Sequence, residues 1–156
     1  MNEIVKSFRE GIMKLDKAVR KMPNAILRKD FPNSFSLEHS FAKGLYIRKI
    51  TVPAGVVTIT EIHKYSHAVF LMKGKMSILE EDGIRTIEAP CNFITKAGTK
   101  RLIYHHNEVV IVTVHATEET DIEKIEEEII AKSFDELDNV IEIEDFVKEL
   151  KLCEAL

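Results

Sequence analysis

The chain has 156 residues, 45% hydrophobic and 31% charged, the balance of one globular domain, and its formal net charge of -4 offers no basic field to a phosphate backbone, which argues against nucleic-acid binding. Cys91 and Cys153 lie far apart, with neither a zinc spacing nor a disulfide framework, which fits a reducing, cytoplasmic setting. No run of about 18 apolar residues is present to cross a membrane, and the first residues carry charges that a secretion signal would not tolerate.

Along the chain, Ile4, Phe8, Ile12, Leu15 and Val19 recur at steps of four, four, three and four, ahead of Pro23. This spacing predicts a helix over residues 3–22 that packs its apolar stripe on the body of the domain. Over residues 34–116 short runs of Val, Ile, Thr, Phe and Tyr alternate with turn signals such as "VPAG", "EEDG" and "KAG". That rhythm predicts an antiparallel β-barrel or sandwich, with the clearest hairpin at Glu80–Gly83. After His115 the chain turns acidic and helical. Over 120–152, Ile122, Ile125 and Ile129 form one stripe, Ser133 with Glu136 fits a capping box, and Phe146, Val147 and Leu150 form a second stripe. The whole chain, residues 1–156, reads as a single domain that is mainly β.

The stretch "GVVTITEIHKYSHAVFLMKG" at 55–74 carries the chemistry. Its β-branched run and its bounding Pro53, Gly55 and Gly74 argue against a helix. Along a continuous strand four residues span about 13 Å, too far for two ligands on an ion bonded at about 2.1 Å. His63 and His67 can therefore share a metal only if Lys64, Tyr65 and Ser66 reverse the chain. Glu61 and His63, two apart, point to one face, with Val57 and Ile59 continuing it as barrel lining.

The spacing of this stretch resembles the first motif of the cupins, small β-barrels in which Gly, five residues, His, one residue, His, three or four residues, Glu, six residues and Gly follow in order. Here the series is Gly55, Glu61, His63, His67, Gly74, with every interval kept and the acidic and imidazole positions exchanged. The resemblance implies a cupin-like double-stranded β-helix, a jelly-roll barrel with an N-terminal helix and C-terminal helices, in which Glu61, His63 and His67 converge on a divalent metal. Two imidazoles and a carboxylate suit Fe, Mn, Ni or Zn. In the register of the second cupin motif, Pro90, Lys96, Gly98, Arg101 and His105 fall at the motif positions and only the glycine is kept. Arg101 stands at the fourth ligand position, where a guanidinium cannot bind a cation. Arg101 and His105 are thereby expected to hold a small anionic ligand. His106 is expected to point outward, His115 to be a structural residue at a strand end, and His39 to lie on the surface.

A broader likeness, in "HSFAKGLYIRKITVPAG", "APCNFITKAGTKR" and "TVHATEETDIEKIEEEI", is to small cupins encoded by bacteriophages. It implies the host cytoplasm or a virion as the setting. Three functions follow as expectations: a metal-dependent enzyme acting on a small molecule, a non-catalytic ligand-binding module without metal, or a structural or assembly protein. Because barrel sheets leave edges that subunits commonly cover, a homo-oligomer, simplest a dimer, is expected in each case.

Overall fold

A computed structural model describes residues 3–23, 25–27 and 30–137. Helix α1 (Glu3–Val19) opens the chain. It ends before the predicted Met22 because the Lys21 and Met22 N–H groups bond to carbonyls only three residues back, at Ala18 and Val19, which tightens the last turn. Its buried face also differs from the predicted stripe. Ile12 and Asp16 are buried, whereas Ile4 and Leu15 face solvent. The helix is rotated toward Asp16 because that carboxylate, not a further apolar residue, is the docking point: Lys100 Nζ lies 2.8 Å from it.

A short helix α2 (Phe31–Ser34) leads into ten strands: β1 (Ser36–Ala42), β2 (Leu45–Val52), β3 (Val57–Ile59), β4 (Ile62–His63), β5 (His67–Lys73), β6 (Lys75–Glu80), β7 (Gly83–Glu88), β8 (Cys91–Thr95), β9 (Leu102–His105) and β10 (Val109–Ala116). They are followed by helix α3 (Ile122–Ile129) and a last strand β11 (Ile130–Ala131). One antiparallel sheet has the order β1-β2-β10-β5-β8 and the other β3-β9-β6-β7. Leu71 from the first sheet packs against Met76, Ile78 and Ile103 from the second, and this cluster fills the space between them. The predicted hairpin is present, with Glu80 paired to Gly83.

Gly74 shows why a motif position needs glycine. Its φ is +92°, and a Cβ there would lie 2.4 Å from the Glu108 carbonyl oxygen.

The region after His115 is less uniformly helical than predicted. Asp121 caps α3 by accepting from the Lys124 N–H, and Ile125 and Ile129 are buried against Tyr46. The chain then extends, and β11 pairs with β4, placing Ile130 opposite His63. Glu136 accepts from the Lys132 N–H, one residue before the predicted Ser133. The second stripe, Phe146, Val147 and Leu150, and Cys153 lie outside the described residues. Among the described residues no helix is long and apolar enough to cross a membrane.

Candidate metal centre and barrel cavity

Between the two sheets lies a cavity of about 140 Å³ whose wall includes all five residues singled out by the sequence: Glu61, His63, His67, Arg101 and His105. Of the two β3 residues expected to line the barrel, Ile59 borders the cavity, whereas Val57, opposite the exposed Tyr104, points to solvent; Thr58, opposite Ile103, also borders the cavity. The alternation resets at Thr60 and Glu61, which lie between β3 and β4 in neither strand.

The chain reverses between β4 and β5, at Lys64–Ser66, and brings the His63 and His67 rings to 4.3 Å between centroids. Two backbone bonds hold the reversal: Lys64 N–H donates to the Ile129 carbonyl, and Gly98 N–H donates to the His63 carbonyl. A third imidazole joins them. β10 pairs with β5 through Val114 opposite Ala68, so the next step along both strands sets His115 beside His67, at 4.3 Å between ring centroids. His115 and His63 stand 5.4 Å apart. One possible ligand nitrogen from each of the three lies within 4.8 Å of the others, and among the described residues this is the group that could hold a metal ion.

The surroundings of the rings suit that use. A metal-binding imidazole is normally fixed by a hydrogen bond at its other nitrogen. His67 Nδ1 donates weakly to the Tyr65 carbonyl at 3.4 Å, which leaves the Nε2 lone pair available. His115 Nε2 lies 3.1 Å from the Thr113 hydroxyl, which fixes the orientation of that ring. Burial pushes the His67 imidazole below its ordinary range; the Tyr65 bond opposes this, and the charges of Arg101 and Arg48 add to it. A neutral ring is the form that binds metal. Behind the group, Tyr46 stacks on His115, and α3 packs on Tyr46 through Ile125 and Ile129. The acidic helix is thus a buttress for the third histidine.

Glu61, expected as a metal ligand, stands outside this group. Its carboxylate accepts from Arg20 Nη2 at 3.1 Å, and Arg20 also bonds to Asp16. Lys100, 2% exposed, completes the network by bridging Asp16 and the Thr60 carbonyl. Arg20, just past the end of α1, therefore draws Glu61 away, and the residue that joins His63 and His67 is His115, expected from the sequence to be structural. No local motif pointed to His115, because only the pairing of β10 with β5 brings it to the site. Arg101 borders the cavity but is engaged elsewhere. Its Nε donates to Glu80 at 2.5 Å, its Nη1 donates to the Thr95 hydroxyl at 2.8 Å, and the guanidinium lies 5.3 Å from the Phe93 ring centroid. His105 Nδ1 donates to the Val56 carbonyl at 2.8 Å, and burial lowers its pKa against that bond. His106 is exposed on Ser77, and His39 is exposed with Nδ1 2.8 Å from the Tyr46 hydroxyl.

Solved structures share this architecture. Ectoine synthase from P. lautus superposes with a TM-score of 0.51 at 16% identity, over 63% of this chain and 75% of that one. An RmlC-like cupin family protein with a double-stranded β-helix fold, from Methanocaldococcus jannaschii, matches at 18% identity and a TM-score of 0.46, over 54% of this chain and 81% of that one. The chain has a cupin fold. A cupin-2 domain containing protein from Shewanella frigidimarina is also similar, at 15% identity and a TM-score of 0.45, over 59% of this chain and 94% of that one. No family model matches the chain, and no curated protein matches it in sequence. At these identities the likeness extends to the cupin fold alone, so the chemistry of this barrel is argued from its own residues.

Proposed function

We propose that this cupin barrel binds one divalent transition metal through His63, His67 and His115, with a small anionic ligand in the adjoining cavity. The observation that supports it is the approach of three imidazoles whose candidate ligand atoms all lie within 4.8 Å. Three rings crowded on a buried wall, with second nitrogens of His67 and His115 already engaged, fit a ligand set better than a packing motif. An all-imidazole set favours Zn, Fe or Ni over Mn, which prefers carboxylate oxygens. Three protein ligands leave positions for water or a ligand oxygen, and the ion would supply Lewis-acid polarisation or an activated water. The chain's own residues orient the rings, wall off solvent and hold a ligand beside them. This chemistry is that of a metal-dependent enzyme acting on a small molecule.

The test is elemental analysis of protein purified without an affinity tag or chelator. One metal per chain is expected in the wild type and in Glu61→Ala. His63→Ala, His67→Ala and His115→Ala should each lose most of it. Equal metal content in all three histidine variants, or a loss in Glu61→Ala as large as theirs, would overturn the ligand assignment.

A further inference from the structure

We infer that the outer face of the sheet β1-β2-β10-β5-β8 is a docking surface for a second copy of this chain, packed sheet on sheet across a twofold axis. The inference stands on strand register and exposure and needs no metal.

The two central strands point to it first. A strand with one face on a core and one in water alternates apolar residues inside with polar residues outside. In β5 and β10 that pattern is inverted. The polar His67 and Thr113 border the cavity and His115 stacks beside His67, while every alternate position from Ala68 to Met72 and from Val110 to Val114 is apolar. Because Val69 and Ile111 border the cavity, these alternate residues face outward. Strands apolar on both sides are those of sheets covered on both faces.

The register joins the outward residues into one patch. Ile47, Val114, Ala68 and Ile94 stand in one row across β2, β10, β5 and β8, and Val112 is paired with Phe70 in the next. Ile94 is 64% exposed and Met72 59%, and Val112 and Phe70 at the centre are only half-buried. The outer face of the other sheet is polar by contrast: Ser77 bonds there to Thr86 and to His106.

Size and charge favour a second copy as the occupant. The sheet has five strands, 5 to 8 residues long. At about 4.8 Å between strands and about 3.4 Å per residue they make a face of roughly 24 Å by 20 Å. Covering it on two copies removes on the order of 1,000 Å², enough for a specific interface. Aligned sheets interdigitate their side chains, and a twofold axis lets one patch serve both partners. The charges bordering the patch are already matched within the chain: Lys49 Nζ lies 2.9 Å from Glu38, and Lys73 Nζ 2.7 Å from Glu108. Two identical copies therefore meet without like-charge repulsion, with an apolar centre inside a polar rim.

The experiment is sedimentation equilibrium of the whole chain from about 1 to 100 μM, where twice the chain mass is expected. Val112→Lys puts a charge at the centre of the face, and Ile94→Lys puts one at a position that the fold leaves exposed. Each should raise the dimer dissociation constant at least about hundredfold with an unchanged circular dichroism spectrum. Thr86→Lys, on the outer face of the other sheet, should leave it within about twofold. If Val112→Lys does not fold, Ile94→Lys decides. A monomer at about 100 μM would overturn the inference, whether the face is bare or covered by residues 138–156 of the same chain. A dimer that Ile94→Lys leaves intact, or that Thr86→Lys weakens as much, would also overturn it, because the contact would then lie elsewhere.

Discussion

Arg101→Gln separates a structural arginine from a ligand-binding one. The wild-type guanidinium makes a charge-assisted bond to Glu80 Oε2 at 2.5 Å, a bond to the Thr95 hydroxyl at 2.8 Å, and a contact with the Phe93 ring at 5.3 Å. These contribute about 1.5–3, about 1 and about 0.5–1 kcal/mol respectively. Arg101 is buried and Glu80 half-buried, their side chains 9% and 15% exposed, so little of this is lost to solvent screening. Glu80 keeps Arg85 at 2.9 Å, which softens the loss. A net destabilisation of roughly 3 kcal/mol follows, or a fall in Tm of roughly 6–12 °C for a chain of this size. Thermal unfolding followed by circular dichroism at neutral pH measures it. Adding Glu80→Gln removes the carboxylate that has lost its Arg101 partner, so the double variant should be more stable than the sum of the single losses predicts, by at least about 1 kcal/mol. A fall of less than about 2 °C, or strict additivity, would refute the assignment of Arg101 to the scaffold.

Acid should act through the same buried carboxylates. Burial raises the pKa of Glu80 and of Asp16, but Arg101 and Arg85 in the first case, and Arg20 and Lys100 in the second, outweigh it and hold both below the ordinary carboxylate range. Their stabilisation is therefore fully present above the unfolded-state values near pH 4 and is lost as pH falls through the lower folded values. Urea titrations from pH 6 to 3 should show wild-type stability dropping steeply below about pH 4, and Asp16→Asn/Glu80→Gln starting lower but falling less; parallel curves would count against it. Gly74→Ala forces a side chain into a left-handed position facing the Glu108 carbonyl, and should cost at least about 2 kcal/mol by chemical denaturation. Asp121→Ala removes the cap of α3 and should cost about 1 kcal/mol.

The sequence carried the barrel because strand periodicity and turn glycines are local signals. Each interval from Gly55 to Gly74 records a turn or a strand length, and the reversal at Lys64–Ser66 could be argued from distance alone. The site was legible only as far as those local signals reach. His63 and His67 lie on either side of one turn. His115 joins them through a strand pairing that spans more than forty residues, for which the sequence holds no local mark. Glu61 stands outside the histidine group for the converse reason. Its position on the chain suits a ligand, but Arg20, just past the end of α1 and 41 residues earlier, holds its carboxylate at 3.1 Å. Helix α1 was read by apolar spacing, which gives no weight to Asp16, yet the buried Asp16–Lys100 pair sets how the helix sits. Ion pairs between distant segments are invisible to periodicity, and here two of them decide the wall of the cavity.

Replacing a carboxylate by a third imidazole changes the charge of the candidate centre as well as its geometry. With Glu61 tied to Arg20, a divalent ion held on three neutral rings would keep its full charge. No protein group in the triad offsets that charge, so metal and anion each lower the cost of binding the other. Linkage makes the effect reciprocal: whatever factor a small carboxylate probe such as pyruvate adds to zinc affinity, zinc must add to the affinity for that probe. Couplings of this kind are typically about 5- to 150-fold, and two opposite charges meeting in a low-dielectric cavity belong in the upper part of that range. Competition with a zinc-chelating dye, with and without saturating pyruvate, reads the coupling directly. Zinc affinity that does not respond to pyruvate would mean that the two do not share the cavity.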